Sequence, residues 1–323
     1  MVLFPTTVNE IISIINNLSS KVSFGFDNIP TNVVKLSAPY IATQLSYLIN
    51  YSFDRGIFPD QLKIGKICPI HKQGDKKLIA NYRPISILPV FSKVYEKAIY
   101  TRLDSFLKSN NILTDNQYGF RKGHSTFMPN QDLYDKISLA SQNNEHVIAI
   151  FLDLAKAFDT IDHSIMCDKL YYCRVRGTAL ELFRNYLSNR KQYVSYNGVT
   201  SRFLDVSLGV PQGSILGPLL FIVYINDFVK STSTLTSYLF ADDTTVLHSD
   251  RDFINLTSMV NSELCKISAW FKSNRLTLNA AKSNYIIFGS KRLPSTDCSK
   301  LISMDGTYLG RVESTKFLGV LID

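Results

Sequence analysis

Two adjacent aspartates, Asp242 and Asp243, are the residues of this 323-residue chain best suited to chemistry. They stand between an aromatic and aliphatic segment, residues 238–240, and a segment rich in β-branched residues, 244–247. Both flanks favour strands, which predicts a tight hairpin with the two aspartates at its bend. Two carboxylates on a rigid bend repel each other and favour a bound cation, and carboxylate oxygens suit Mg²⁺. An ordinary turn, in which aspartate is common, is the alternative interpretation.

A third carboxylate, Asp153, directly follows the apolar run 147–152. This run predicts a strand that is buried on both faces. A carboxylate at the end of such a strand is costly unless it is paired or metal-bound, and a helix N-cap is the alternative interpretation. If Asp153 meets Asp242 and Asp243, the three can hold two Mg²⁺ ions for in-line phosphoryl or nucleotidyl transfer. The sequence does not show whether these distant segments are neighbours.

The surrounding pattern predicts an α+β fold, in which an antiparallel sheet carries helices on one side. An amphipathic helix follows the capping box at Thr7, and apolar residues at spacings of three and four predict a long helix over 253–271. Asn197-Gly198 predicts a hairpin between 192–197 and 199–206. Further helices are predicted over residues 41–53, 90–110, 130–142 and up to 187, and after the glycine-proline loop 209–218 up to 228. Further strands are predicted over residues 64–72, 82–88, 284–288 and 317–322.

Composition points to a polyanionic partner. The net charge is +8, and residues 55–122 carry thirteen Lys or Arg against five Asp or Glu. A basic stretch of this kind indicates nucleic acid or a nucleoside triphosphate, with ordinary solvated surface as the alternative. The five cysteines are scattered, which favours a reducing compartment over a disulfide framework or a zinc site. We expect no secretory signal and no membrane span.

Eight segments of the chain form a recognisable series. They are KVSFGFDNIP (21–30), NYRPISIL (81–88), QYGFRKGHST (117–126), FLDLAKAFD (151–159), GVPQGSILGPLLF (209–221), FADD (240–243), the segment 270–282 and FLGVLID (317–323). In this order they resemble the motifs of the reverse transcriptase of a non-long-terminal-repeat retrotransposon, of the LINE type and jockey-like. The resemblance covers nearly the whole chain.

The resemblance implies the fingers and palm of a right-hand polymerase. The N-terminal extension and fingers would cover residues 1–146 and the palm residues 147–323, within a single reverse transcriptase domain over about 60–323. The palm sheet would be antiparallel and backed by helices, and the last segment resembles the primer-grip region. A thumb and the family's upstream endonuclease domain are expected to be missing from this chain.

The resemblance also implies roles for individual residues in RNA-directed DNA synthesis. Asp153, Asp242 and Asp243 would be catalytic and would bind two Mg²⁺ ions. Phe158 would exclude a ribose 2′-hydroxyl, with a core aromatic as the alternative. The other expected nucleotide-binding residues are Lys72, Arg83, Arg121, Gln212 and Gly213. An ordinary surface charge is the alternative for each basic residue, and a simple turn is the alternative for the loop with Gln212 and Gly213. The expected partners are an RNA template, a DNA primer and dNTPs.

Two other functions compete with this interpretation. An inactive, truncated element could bind RNA without catalysis, although its three aspartates are intact. An RNA-directed RNA polymerase uses similar carboxylates, but Phe158 and the Ala241 of FADD argue against it. For a retrotransposon polymerase we expect an intracellular location, in the nucleus or the cytoplasm, and no secretion.

Overall fold

A computed structural model describes residues 1–20, 23–289 and 301–323. Lys21 and Val22 of the first motif, and Cys298, lie outside the described residues. The helices in the described ranges are α1 (Val8–Asn17), α2 (Thr31–Arg55), α3 (Val90–Ser109), α4 (Phe127–Gln142), α5 (His163–Tyr172), α6 (Thr178–Leu187), α7 (Leu216–Tyr224) and α8 (Phe253–Ser273). The strands there are β1 (Ile64–His71), β2 (Tyr82–Ile87), β3 (His146–Leu152), β4 (Arg190–Tyr196), β5 (Val199–Thr200), β6 (Leu204–Val206), β7 (Thr236–Phe240), β8 (Asp243–Asp250), β9 (Asn284–Phe288), β10 (Ser303–Met304), β11 (Thr307–Tyr308), β12 (Gly310–Arg311), β13 (Thr315–Phe317) and β14 (Val320–Ile322).

The chain folds into two compact units, and each is built from two separate stretches of sequence. The first unit contains Met1–Ile112 and Phe158–Tyr224, and the second contains Leu113–Ala157 and Ile225–Asp323. The fingers and palm bounds, which were predicted from the order of the motifs, are continuous in sequence and stay predictions. Helices and mixed sheets together give a mixed α and β architecture.

The first unit contains a sheet in the order β2-β1-β4-β5, with β6 also paired to β4. Strands β1 and β4 run parallel, whereas β1 pairs with β2 and β4 pairs with β5 and β6 in antiparallel orientation. Helices α1, α2 and α3 pack against one another, and α5 contacts both α6 and α7. This unit carries the loop between β6 and α7, which holds the glycine-proline motif.

The second unit contains a sheet in the order β12-β9-β3-β8-β7. Its central strand β3 pairs antiparallel with both β8 and β9, and β7 pairs antiparallel with β8. At the edge, β12 runs parallel to β9. The sheet is therefore mixed, whereas the sequence predicted a wholly antiparallel one.

Both faces of β3 are covered, which corrects the expectation of helices on one side. Val147 and Ala149 lie in an apolar cluster with Leu133 of α4, and the ring of His146 on the opposite face contacts Phe253 of α8. Alternate side chains of a strand point to opposite faces, so the continuous apolar run is explained by two covering layers. The predicted burial of this strand on both faces is confirmed.

The predicted elements are largely confirmed, with four corrections. Helix α7 ends at Tyr224, before the predicted end at residue 228. Helix α2 begins at Thr31, before the predicted start at residue 41, because Pro39 is accommodated within the helix. The stretch 199–206 forms the short strands β5 and β6, which pair separately with β4. The predicted last strand is a hairpin of β13 and β14, because Leu318 and Gly319 both adopt positive φ. No helix in the described ranges is long and apolar enough to cross a membrane.

A buried glutamate fixes the start of α7. Glu96 of α3 is fully buried, and its Oε2 accepts hydrogen bonds from the backbone N–H groups of Ile215 (2.6 Å) and Leu216 (3.2 Å). Its Oε1 accepts a hydrogen bond from Ser92 Oγ at 3.1 Å. The first N–H groups of a helix have no partner within the helix, so this carboxyl group satisfies them. It thereby anchors the end of the glycine-proline loop.

We expect Glu96→Ala to lower the free energy of unfolding by about 1–3 kcal/mol, because two backbone donors at the start of α7 lose their acceptor. Urea unfolding of the whole chain measures the change. Glu181→Ala is the matched control, because Glu181 lies in the first turn of α6 but is exposed. Equal unfolding midpoints for the two variants would contradict this role of Glu96.

Candidate active site

The pairing of β3 with β8 brings the predicted acidic segments together. Leu152, the last residue of β3, pairs with Thr244, and Asp153 directly follows it. Continuing the same register places Asp153 opposite Asp243, the first residue of β8. The three aspartates therefore stand at one end of two adjacent strands, which the sequence alone could not show.

The turn differs in detail from the predicted hairpin. Phe240 of β7 pairs with Asp243 of β8, so the bend consists of Ala241 and Asp242, and Asp243 is the first residue of the strand. Ala241 has a φ of 56°, which is uncommon for a residue other than glycine. Such a conformation persists only where the surroundings hold it in place.

The backbone of Asp153 is fixed by the segment between α8 and β9. Its N–H donates to Ser283 Oγ (3.0 Å), and its carbonyl accepts a hydrogen bond from Asn279 N–H (2.8 Å). The next helix, α5, has Asp162 as its N-cap, with the Asp162 carboxylate bonded to the N–H groups of Ser164 and Ile165. Asp153 therefore caps no helix, and that alternative interpretation is excluded.

The aspartates repel one another electrostatically. Three effects raise the pKa of Asp243 to about 6: loss of water around its carboxyl group, which is the largest, and the negative charges of Asp242 and Asp153. The residue as a whole is nevertheless exposed, so a ligand can reach it. A nearby cation would relieve this repulsion.

The donor set fits a hard divalent cation. Carboxylate oxygens are the ligands that Mg²⁺ prefers, and the raised pKa of Asp243 indicates negative charge that a cation would offset. Across the described part of the chain, no three His, Cys, Asp or Glu side chains form a ready-made metal cage. A cation would therefore have to draw the carboxylates together or be shared with a ligand.

Two of the predicted nucleotide-binding residues lie on the β1–β2 hairpin of the first unit. Arg83 pairs with Ile70, and the N–H of Lys72 donates to the carbonyl of Asn81 at 2.9 Å. If the pairing of β1 with β2 is extended by one residue, Lys72 lies opposite Asn81. Lys72 and Arg83 are then diagonal neighbours on the same face of the hairpin. Both side chains are exposed.

The loop with Gln212 and Gly213 lies close to other backbone in the same unit. The carbonyl of Gln212 accepts a hydrogen bond from Ser86 N–H (2.8 Å), and its side-chain Nε2 donates to Asp159 Oδ1 (2.8 Å). Gly213 has a φ of 126°, and a Cβ there would lie 2.4 Å from the carbonyl oxygen of Ser86. Glycine is therefore required at this position.

Phe158 is half-buried in the first unit. Its ring stacks on Phe221 of α7, with 4.6 Å between the ring centroids, and its carbonyl accepts a hydrogen bond from Val210 N–H at 2.9 Å. The ring is thus held against the core on one side and is not fully enclosed. The arrangement allows both the predicted role in sugar selection and a partial packing role.

Arg121 belongs to the second unit and holds a loop there. Its Nη1 donates to the carbonyls of Thr114 (2.7 Å) and Gln117 (3.1 Å).

The sequence analysis included Gln117 in a fingers motif but assigned it no role. The structure places its side chain against the turn that carries Asp242, as described below. Only the buried environment of this glutamine could have singled it out, and the sequence does not reveal that environment.

Comparison with known proteins identifies the class to which this fold and site belong. The family model described as reverse transcriptase (RNA-dependent DNA polymerase) matches residues 70–322. The chain therefore belongs to the reverse transcriptase family. Polymerases of this family generally use divalent metal ions, in keeping with the donor set of the three aspartates.

Three relatives of similar sequence are encoded by transposons or mobile elements of Drosophila melanogaster. The chain is 30% identical over 97% of its length to the probable RNA-directed DNA polymerase from transposon X-element, and 31% identical over 99% to that from transposon BS. It is 28% identical over 98% of its length to the RNA-directed DNA polymerase from mobile element jockey. The chain spans 35%, 36% and 35%, respectively, of the lengths of these three relatives.

We expect Asp243→Asn to raise the melting temperature of the metal-free chain at pH 7.5, because it removes one of the repelling charges. The folded-state pKa of about 6 lies above the unfolded value of about 3.9, so the folded wild-type chain binds the proton more tightly. The destabilisation that Asp243 causes should therefore disappear as the pH falls from about 6 to about 4, and the advantage of the variant should shrink over that range.

Thermal melts in EDTA across pH 4–8 measure this effect. Asp135→Asn, at an exposed position on α4 of the same unit, is the control. It keeps Asp243, so the difference between its melting temperature and that of the wild type should stay constant over this pH range. An Asp243→Asn variant that is less stable than wild type at pH 7.5 would show that repulsion does not dominate at this turn.

Proposed function

We propose that this chain is an RNA-directed DNA polymerase that adds dNTPs to a DNA primer 3′-hydroxyl on an RNA template, with two Mg²⁺ ions. The observation that carries the proposal is the group of Asp153, Asp242 and Asp243 at one end of adjacent strands in a chain of the reverse transcriptase family. The names of the relatives, which are RNA-directed DNA polymerases from mobile elements, support it.

In this proposal the three aspartates bind the two ions. When bound, Mg²⁺ would supply activation of the primer 3′-hydroxyl and neutralisation of charge on the leaving pyrophosphate. The carboxylates supply negative charge close to the reacting groups, and the paired strands fix the backbone that carries them. The backbone bonds of Asp153 to Ser283 and Asn279 serve the same purpose.

In this proposal the other predicted residues bind the nucleotide. Arg83 and Lys72 would bind the triphosphate, because an exposed guanidinium can contact phosphate oxygens through two parallel hydrogen bonds and lysine adds a point charge. Gln212 and Gly213 would contact the nascent base pair, and the missing Cβ of Gly213 favours close approach. Arg121 would contribute through the part of its guanidinium that is not bound to Thr114 and Gln117.

Phe158 would select deoxynucleotides by steric exclusion of a 2′-hydroxyl. Its ring is supported by Phe221 on one side, so it cannot easily move away from a ligand on the other. The template RNA, the primer and the dNTPs are the proposed partners. A polymerase that consumes dNTPs would work inside the cell, in the nucleus or the cytoplasm.

We expect Asp242→Asn to abolish RNA-templated primer extension while the fold is kept, because the change is nearly isosteric but removes a metal-binding charge. Extension by the purified chain with Mg²⁺ and dNTPs, at equal protein concentration and with circular dichroism as a fold check, measures the effect. Asp135→Asn should extend at the wild-type rate. Extension by Asp242→Asn close to that rate would refute the assigned role, and RNA binding without extension by the wild-type chain would favour a non-catalytic protein.

We expect Phe158→Val to increase ribonucleotide incorporation relative to deoxynucleotides, because the smaller side chain leaves room for a 2′-hydroxyl. The ratio of kcat/KM for dNTP to that for NTP should fall at least about tenfold, which corresponds to about 1.4 kcal/mol. Phe183→Val, the same change at a fully buried position of the first unit, controls for lost packing and should leave the ratio unchanged. An unaltered ratio in an active Phe158→Val variant would make Phe158 a packing residue.

A further inference from the structure

A short segment of the second unit runs beside the strand that leads into the aspartate turn. The carbonyl of Asn116 accepts a hydrogen bond from Leu239 N–H (2.9 Å), and Tyr118 N–H donates to the carbonyl of Leu239 (2.8 Å). These bonds form a parallel bridge between Gln117 and Leu239, one residue before Phe240. The segment therefore has a fixed register relative to the turn.

The side chain of Gln117 contacts the turn itself. It is fully buried, and its Oε1 accepts hydrogen bonds from the N–H groups of Ala241 (3.1 Å) and Gly119 (2.8 Å). Both partners are donors, so the oxygen must face them. Among the described residues the Nε2 of the same amide is buried without a hydrogen-bond partner. Burying an amide nitrogen without a hydrogen-bond partner costs free energy. The two hydrogen bonds that the Gln117 oxygen accepts offset this cost and explain why a glutamine occupies this position.

Gly119 also lies directly against the turn. A Cβ at this position would lie 2.3 Å from the backbone nitrogen of Ala241. No side chain fits into that distance, so any other residue would push the turn away. Gln117 and Gly119 together hold Ala241 in its positive-φ conformation.

We propose that Gln117 is a positioning residue for the candidate catalytic carboxylates. By holding Ala241 N–H it fixes the two-residue bend and therefore the direction in which Asp242 and Asp243 leave the strands. This role rests on the proposed function of those aspartates. Gln117 touches no substrate in this proposal and acts through the turn alone.

The test compares Gln117→Leu, which removes the oxygen at similar size, with Gln117→Glu, which keeps an oxygen acceptor. Amide hydrogen exchange at Ala241 in the whole chain, followed by mass spectrometry or NMR, reports the turn without any need for activity. Gln117→Leu should speed this exchange at least about tenfold, whereas Gln117→Glu should stay within about threefold of wild type. Gly119→Ala should also speed the exchange, because the added methyl group would displace the turn.

Primer extension gives the second readout. In Gln117→Leu, kcat should fall by roughly tenfold to a hundredfold with little change in KM for dNTP, because small displacements of catalytic groups cost that much. Val260→Ala removes packing at a fully buried position of α8 and controls for lost stability. Gln131→Leu is the same substitution at an exposed position of α4. Both should keep wild-type exchange at Ala241.

The outcomes separate the two proposals. Unchanged Ala241 exchange in Gln117→Leu would overturn the positioning role, as would equally fast exchange in Gln117→Glu and Gln117→Leu. A kcat no lower in Gln117→Leu than in a Val260→Ala variant of equal stability would also overturn it. A wild-type chain that binds Mg²⁺ but extends no primer would refute the proposed function, and the exchange data would still decide whether Gln117 fixes the turn.

Discussion

Repulsion among Asp153, Asp242 and Asp243 is the constraint on which the second unit depends. Three like charges at one end of a sheet tend to separate. The pKa of Asp243 is raised mainly by loss of water around its carboxyl group, and the charges of Asp242 and Asp153 raise it further. Antiparallel pairing of β3 with β8 resists the separation through backbone hydrogen bonds along the whole of β3. Apolar layers on both faces add burial of side chains, which is worth about 25 cal/mol per Å² of apolar surface removed from water. Tight packing of the central residues of these strands therefore stabilises the sheet against the repulsion between the charges at its end.

In the first unit, the main constraint is the close approach of the glycine-proline loop to other backbone. Gly209 and Gly213 both adopt positive φ, and a Cβ at either would collide with a neighbouring main chain, that of Asp159 or of Ser86. Close approach of this kind leaves the loop few alternative positions. Glu96 then fixes the start of α7, where the loop ends. The loop is therefore rigid at both of its ends, as is expected of a segment that presents groups to a ligand.

Local sequence patterns predicted most helices and strands correctly. The features that they did not predict depend on contacts between residues far apart in the sequence. The spacing of Leu256, Val260 and Leu264 predicted a buried face of α8, and all three are buried. Thr7 caps α1 as predicted, but Glu10 of the same capping box binds Arg102 with its side chain. A local motif cannot reveal that a distant cation offers a stronger partner. For the same reason the register of β3 on β8, and with it the meeting of the three aspartates, could not be read from the sequence.

The basic stretch 55–122 shows how tertiary contacts change the meaning of a charge count. Lys63 is buried against Asp60 and Asn185, and Arg102 is bound by Glu10, so these two cations mainly serve the fold. The exposed excess is concentrated on the β1–β2 hairpin, which carries Lys72, Lys76, Lys77 and Arg83 against Asp75 alone. A hairpin is narrow and two-stranded, so its charges share one small surface where their fields add. The net charge of the chain therefore says less about an anionic ligand than the position of this hairpin does.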